Sequence, residues 1–229
     1  MSKSLLDILA DKLANNIIDA LGGNEWIGKR GEKLTEKELK WLKLFSKNGL
    51  TLKNIYLPKD NGETSEIDLI YITVKGIFVI ESKNYSGWIF GDESSYNWTA
   101  MLPNKQKNRF YNPILQNKTH IKWLKNYVGD DIPMFSLIVF SERCELKKVP
   151  EGTDTLRVIK RDRIVGNIRD LWDKASESIT EEKVKEIYDK LKPLTNADET
   201  TKQAHIDDIN RKYKVDGKNV TQDVSQDRK

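Results

Sequence analysis

Cysteine is almost absent from this chain of 229 residues, since Cys144 is the only one. A single cysteine excludes a disulfide bond within the chain and a thiolate-rich zinc site. Because no paired base is evident for a cysteine nucleophile, we expect Cys144 to be a small, partly buried side chain.

Long hydrophobic runs are missing as well. No apolar stretch approaches the roughly 20 residues of a membrane-spanning helix, and the N-terminus shows no cleavable signal pattern. We therefore expect a soluble, cytoplasmic protein with no membrane partner.

Histidine occurs only at positions 120 and 205. A lone histidine says little about function, because most are packing or surface residues. We expect one of these roles for His120, with a substrate contact as the alternative.

Acidic residues are absent from positions 94–129, although the whole chain contains 35 of them. The basic residues of this block are Lys105, Lys107, Arg109, Lys118, Lys122 and Lys125, and its aromatic residues are Tyr96, Trp98, Phe110, Tyr111, Trp123 and Tyr127. Basic side chains can follow a phosphate backbone, and aromatic rings can stack on unpaired bases. The alternative is that the rings are core residues and the lysines are solvated. The net charge of +4 permits polyanion binding without requiring it.

The hydrophobic content of 38% supplies one sizeable core. Helices are predicted at 4–21, 27–45, 114–128, 164–175 and 181–191, and strands at 52–57, 69–73, 77–80, 135–140 and 156–159, with short strands between 85 and 98. This order predicts an α/β fold, a sheet flanked by helices.

The chain divides into three parts by composition. Residues 1–25 are predicted to form an amphipathic helix suited to packing or to self-association as a homo-oligomer. Residues 26–194 form the globular domain. Residues 195–229 form a polar tail, expected to be disordered or marginally helical.

Charged residues flank a predicted β-hairpin. Two β-branched stretches joined by a short turn follow Asp68 and precede Glu81 and Lys83. A turn on residues 75–76 would set Asp68 opposite Lys83, whereas a turn on residues 74–75 would set it opposite Glu81. Both registers place the three charged side chains on one face.

This cluster suits a hard divalent cation. Mg²⁺ usually takes one or two carboxylates and keeps several waters, and the main-chain carbonyl of Ser82 could add an oxygen. Lys83 could orient an attacking water or stabilise charge on phosphorus. The pattern favours metal-assisted phosphodiester hydrolysis. The alternative is a surface hairpin with a solvated salt bridge, against which the apolar strand before Glu81 argues.

Four sequence blocks resemble a known family. They are Gly28-x-x-Gly31-Glu32, Glu66-Ile67-Asp68, Gly76-Ile77-Phe78-Val79-Ile80-Glu81-Ser82-Lys83-Asn84-Tyr85-x-Gly87 and Tyr111-Asn112-Pro113-x-x-Gln116. In this order they closely resemble the nuclease-related domain family, called NERD, which is similar to the PD-(D/E)XK nuclease superfamily. The resemblance covers about residues 27–127. It implies a restriction-endonuclease-like α/β core and a nuclease, acting on DNA, that depends on Mg²⁺ or Mn²⁺.

The resemblance also implies roles for individual residues. Metal binding would fall to Glu32, Asp68, Glu81 and Ser82, with Glu66 as an accessory. Lys83 and Gln116 would complete the catalytic set of Glu32, Asp68, Glu81, Lys83 and Gln116. One departure from the superfamily pattern is Ile67, which stands where a proline usually precedes the first acid, as is common in NERD-like sequences.

For the nucleic acid we expect contacts from Lys105, Lys107, Arg109, Tyr111, Asn112, Lys118 and Lys122. The rival prediction is a nucleic-acid-binding or adaptor module that keeps the fold but does no chemistry. The complete set of acids and lysine argues against this rival.

Overall fold

The computed structural model describes residues 49–175 and 179–195, together with positions 197, 200, 203, 204 and 207. The helices predicted at 4–21 and 27–45, including Glu32, lie outside these residues, and so do His205 and most of the tail. Within the described residues, no helix has the length and apolar character needed to cross a membrane.

The described elements follow one another in a mixed order. They are β1 (Gly49–Pro58), β2 (Thr64–Thr73), β3 (Gly76–Lys83), β4 (Gly87–Phe90), β5 (Asn97–Met101), β6 (Lys107–Tyr111), α1 (Pro113–Val128), β7 (Met134–Phe140), β8 (Cys144–Lys148), β9 (Leu156–Lys160), α2 (Ile164–Lys174) and α3 (Glu181–Leu191), with short 3-10 turns at Arg161–Arg163 and Lys192–Thr195. The predicted mixed α/β fold with flanking helices is confirmed.

The larger sheet has five strands in the order β1-β2-β3-β7-β9. Strands β1, β2 and β3 are antiparallel, whereas β7 runs parallel to both β3 and β9. The centre of β3 is buried on both faces, as its continuous apolar run predicts for an interior strand.

Helices cover both faces of this sheet, because side chains alternate along each strand. On one face, Ile70 and Val79 belong to a core cluster with Leu124 of α1 and Ile187 of α3. On the other face, the cluster holds Leu69, Tyr71, Phe78 and Ile80 of the sheet together with Ile164, Ile168 and Leu171 of α2.

A second, smaller sheet has the strand order β6-β5-β4-β8. Its core side chains, among them Trp98 and Phe110, pack in a third cluster with Ile138 and Phe140 of β7. Sequence patterning missed β6 and β8, because each is short and rich in lysine, arginine or other polar residues. These two strands are stabilised by pairing with neighbouring strands and not by a local sequence preference for the strand conformation.

Helix α1 begins at a well-defined cap. The Asn112 side chain accepts a hydrogen bond from the Ile114 N–H at 2.9 Å, and Pro113 occupies the first turn. Both features are typical of a helix start. The buried Asn117 donates to the carbonyl of Val79 at 2.9 Å, which fixes α1 against β3. The Asn112 cap and the Asn117 anchor together fix the first turn of α1, and with it the position of Gln116.

Candidate active site

The β2–β3 hairpin decides between the two registers that the sequence allowed. Thr73 pairs with Gly76, and Leu69 pairs with Ile80, so the turn lies on residues 74–75. Continued by one residue, this register brings Asp68 opposite Glu81. The two carboxylates therefore meet at the end of the hairpin.

Asp68 accepts a hydrogen bond at Oδ2 from the Ser82 N–H at 2.8 Å. Burial, followed by the negative charge of Glu81, raises the pKa of Asp68 from 3.8 to about 7, although Lys83 and the Ser82 N–H oppose this rise. The N–H and C=O of one strand residue point to the same edge of the strand. The Ser82 carbonyl thus points to the edge of β3 on which Asp68 lies.

Glu81 is almost fully buried, with 2% of its surface exposed. Its Oε1 lies 2.9 Å from Lys83 Nζ, and its Oε2 lies 3.3 Å from His120 Nε2. Burial alone would raise the pKa of Glu81, but Lys83 and His120 lower the pKa below its ordinary value. Glu81 therefore stays ionised at neutral pH.

Lys83 connects the acids to helix α1. Its Nζ donates to Gln116 Oε1 at 3.0 Å. Burial favours the neutral amine, but Glu81 and Asp68 outweigh it and raise the pKa of Lys83. Lys83 is consequently an ammonium, and in this form it cannot act as a general base.

His120 is buried, which agrees with the expected packing role, and it also lies next to Glu81 in the candidate site. Its Nδ1 lies 2.8 Å from Ser65 Oγ. Its Nε2 faces Glu81 at 3.3 Å without the alignment of a hydrogen bond. The carboxylate favours the proton on Nε2, so that Nδ1 accepts from the Ser65 hydroxyl. The available signal was the four-residue spacing from Gln116, which places both side chains on one helix face.

Glu66, the expected accessory acid, lies on the same strand as Asp68 and two residues before it. Its Oε1 accepts a hydrogen bond from the Tyr56 hydroxyl at 2.9 Å. Cys144 is buried more completely than the partly buried position expected for it, and burial raises the pKa of its thiol to about 11. It is thus not a nucleophile at neutral pH.

Most of the expected nucleic-acid contacts lie on the surface. Five basic residues are exposed, namely Lys105, Lys107, Arg109, Lys118 and Lys122, and Tyr111 is half-buried. The aromatic residues of the block are divided: Trp98 and Phe110 belong to the core, whereas 57% of the Tyr96 surface is exposed.

The prediction for Asn112 is corrected by the structure. Asn112 is fully buried. Besides capping α1, its amide nitrogen donates to the carbonyls of Asp92, Glu93 and Ser95. Its polar atoms are used within the protein, so Asn112 is a structural cap and not a nucleic-acid contact.

The donor set fits a divalent cation. Within the described part of the chain, no group of three or more histidine, cysteine, aspartate or glutamate side chains forms a metal cluster. Two carboxylates and a main-chain carbonyl nevertheless satisfy what Mg²⁺ requires from a protein, since waters supply its other ligands. Burial, followed by the negative charge of Glu81, raises the pKa of Asp68, and a cation between the two carboxylates would offset both effects.

Comparison with known proteins agrees with this assignment of motifs. Residues 27–141 match the model of the nuclease-related domain, a span that includes the β2–β3 hairpin and α1. The chain is 32% identical over 189 residues to an uncharacterized protein of Bacillus anthracis. The aligned residues cover 82% of this chain and 86% of that protein. No solved structure matches significantly. The chain belongs to the nuclease-related domain family, NERD.

Proposed function

We propose that this protein is a metal-dependent nuclease of the PD-(D/E)XK type that hydrolyses phosphodiester bonds in DNA. The observation that carries the proposal is the meeting of Asp68, Glu81, Lys83 and Gln116 at the end of one hairpin and the first turn of α1. Two acids next to a lysine ammonium are suited to holding a cation beside a phosphate.

The cation would be Mg²⁺ or Mn²⁺, held by Asp68, Glu81 and the Ser82 carbonyl, with Glu32 as a fourth ligand from outside the described residues. When bound, such a cation lowers the pKa of a water and offsets charge on a phosphate oxygen. His120 and Lys83 hold Glu81 from two sides, so one carboxylate of the pair is oriented before the cation arrives.

Lys83 would act as a positive charge and hydrogen-bond donor. Its ammonium already touches Glu81 and Gln116, and it has a third proton to donate to an attacking water or a phosphate oxygen. Gln116 fixes the lysine and keeps its amide nitrogen available for the substrate or for a water. The lysine thus stabilises charge that develops during the reaction.

The rival function is a binding module without chemistry. Such a module gains nothing from two adjacent carboxylates, because they repel a phosphate backbone. A cation bound between the two carboxylates would offset their mutual repulsion. We therefore favour the nuclease over the adaptor.

The first experiment is a cleavage assay on linear duplex, supercoiled and single-stranded DNA, with Mg²⁺, Mn²⁺ or EDTA. We expect cleavage that requires the metal and is lost in both Asp68→Asn and Lys83→Ala. The matched control is Lys185→Ala, which removes an exposed lysine of α3 and should retain full activity. Circular dichroism checks that each variant is folded.

The outcomes separate the two functions. Normal turnover by folded Lys83→Ala would contradict the catalytic role of this lysine. Retention of DNA without cleavage under every metal condition would favour the binding module.

A further inference from the structure

The small sheet has one face in the core and one face toward solvent. Trp98 and Phe110 face inward, and they are cross-strand partners in the β5–β6 pair. Alternation places the residues on either side of them on the other face. This outer face carries Trp88 and Phe90 of β4, Thr99 and Met101 of β5, Lys107, Arg109 and Tyr111 of β6, and Glu145 and Lys148 of β8.

The outer face is unusually aromatic for a solvent-facing side of an antiparallel sheet, where polar residues are the rule. Trp88 has 37% of its surface exposed, and Phe90 and Tyr111 are half-buried. Tyr96 lies edge-on to Tyr111, with ring centroids 5.0 Å apart. Partly exposed rings on one face of a sheet are candidates for an interaction surface.

The charge on this face is positive. Lys107 and Arg109 are exposed at the β6 edge, and neither side chain has an ion-pair or hydrogen-bond partner among the described residues. The acid on this face, Glu145, is paired with Lys147 at 2.6 Å.

The nearby acids Asp92 and Glu93 lie in a loop bonded to the inner side of the sheet. The carbonyl of Asp92 accepts from both Trp98 Nε1 and Asn112 Nδ2, and both of these side chains lie on the inner side. The outer face therefore keeps its unpaired cations beside its aromatic rings.

We propose that the outer face of the small sheet binds a single-stranded nucleic acid, with its rings stacking on bases and with Lys107 and Arg109 contacting phosphates. Stacking on a flat sheet needs bases that are unpaired, which favours a single strand over a duplex. A protein partner would have to supply acidic side chains for both cations, whereas every nucleotide of a nucleic acid carries a phosphate.

The position of the face suits delivery of the strand to the candidate active site. Tyr111 ends β6 five positions before Gln116, and α1 begins between them. The proposal rests on the proposed function for the cleavage that follows binding, but the binding itself can be measured without metal.

The test is fluorescence anisotropy with a labelled single-stranded DNA oligonucleotide in EDTA, at several salt concentrations. We expect Lys107→Ala with Arg109→Ala to weaken binding and to reduce the slope of log K against log salt by about 1.4, because each phosphate contact to a single strand contributes about 0.7. Trp88→Ala should weaken binding roughly five- to one-hundredfold without changing this slope. Lys185→Ala, which removes a lysine far along the chain, should change neither.

The proposal is overturned if the outer-face variants bind as wild type does, or if the wild type prefers a duplex of the same sequence. Asp68→Asn should bind the oligonucleotide at least as tightly as wild type does. The variant keeps the outer face unchanged and removes only a negative charge of the candidate site, which would repel phosphate. Wild type that binds through this face but never cleaves would contradict the nuclease and leave the binding surface intact. Cleavage that is insensitive to all outer-face variants would contradict the binding surface and leave the proposed nuclease activity intact.

Discussion

Asp68 is the residue whose chemistry is most altered by its surroundings. An acid with a pKa of about 7 in the folded protein and 3.8 ordinarily destabilises the metal-free fold at high pH. The native state binds the proton more tightly than the unfolded state does, so the penalty is absent below about pH 4 and complete above about pH 7.

We expect Asp68→Asn to raise the free energy of unfolding in EDTA by on the order of 2–4 kcal/mol at pH 8 and by little at pH 4. Asparagine keeps an acceptor for the Ser82 N–H and removes the charge beside Glu81. Urea denaturation at both pH values measures the difference. The control is Asp173→Asn, an exposed aspartate of α2 that should have no effect at either pH. An equal effect of Asp68→Asn at both pH values would contradict the raised pKa.

His120 acts on the site through Glu81. A histidine that orients a metal-binding carboxylate is worth about 10–100-fold in metal affinity. We expect His120→Ala to raise by this factor the Mg²⁺ concentration that gives half-maximal cleavage, with a smaller loss of kcat at saturating metal. Ser65→Ala should act in the same direction but more weakly, since it removes only the donor to Nδ1.

The conservative variant His120→Gln, which keeps a donor near Glu81, should recover part of the metal response. Loss of activity that no metal concentration restores, with an unchanged metal requirement for the residual cleavage, would assign His120 to packing alone.

At the scale of single elements, the β2–β3 turn controls the active-site register. Gly76 has φ +119°, and a Cβ there would lie 2.3 Å from the backbone oxygen of Pro133. Gly62, in the preceding turn, also has a positive φ of +79° but meets nothing within 4 Å. Comparing substitutions at the two glycines therefore distinguishes the cost of a positive φ, which both share, from the cost of a steric clash, which only Gly76 has.

We expect Gly62→Ala to cost about 1–2 kcal/mol of unfolding free energy, from the positive φ alone. Gly76→Ala should cost more, because the start of β3 must also move away from Pro133. It should impair cleavage as well, since the same strand carries Glu81. Urea unfolding and the cleavage assay measure the two effects, and equal costs at both positions would contradict the close approach to Pro133.

At the scale of the whole molecule, the candidate site lies where the two sheets and α1 meet. The Lys83 carbonyl accepts from the Ser141 N–H at 2.9 Å, and Ser141 Oγ donates to the Tyr85 carbonyl at 2.6 Å. These bonds connect the end of β3 to the segment between β7 and β8. The strand that carries Glu81 and Lys83 is therefore fixed at its end by the segment between β7 and β8.

We expect Mg²⁺ or Mn²⁺ to raise the melting temperature of the wild type. A ligand at 100 times its Kd that binds only the native state stabilises it by about 2.7 kcal/mol. Differential scanning fluorimetry measures the shift, with NaCl at matched ionic strength as the control. A shift of equal size in Asp68→Asn would place the cation elsewhere.

Much of the secondary structure could be read from local pattern. The β2–β3 hairpin, α1 with its Asn-Pro start, and α3 with its Thr180 cap all follow from periodicity and capping residues. Strands β6 and β8 could not be read in this way, because β6 carries more polar than apolar residues and pairing with neighbours stabilises both.

The sequence by itself predicted that Asp68, Glu81 and Lys83 lie together, because both registers with a two-residue turn place them on one face, and its motifs identified the family. Only the tertiary structure decided that Asp68 faces Glu81, since the pairing of Thr73 with Gly76 selects one of the two registers. It alone brought His120 to Glu81 and buried Asn112, because those contacts join segments far apart in the chain. Side-chain spacing determines which residues share a face, whereas packing between distant elements determines which of them touch.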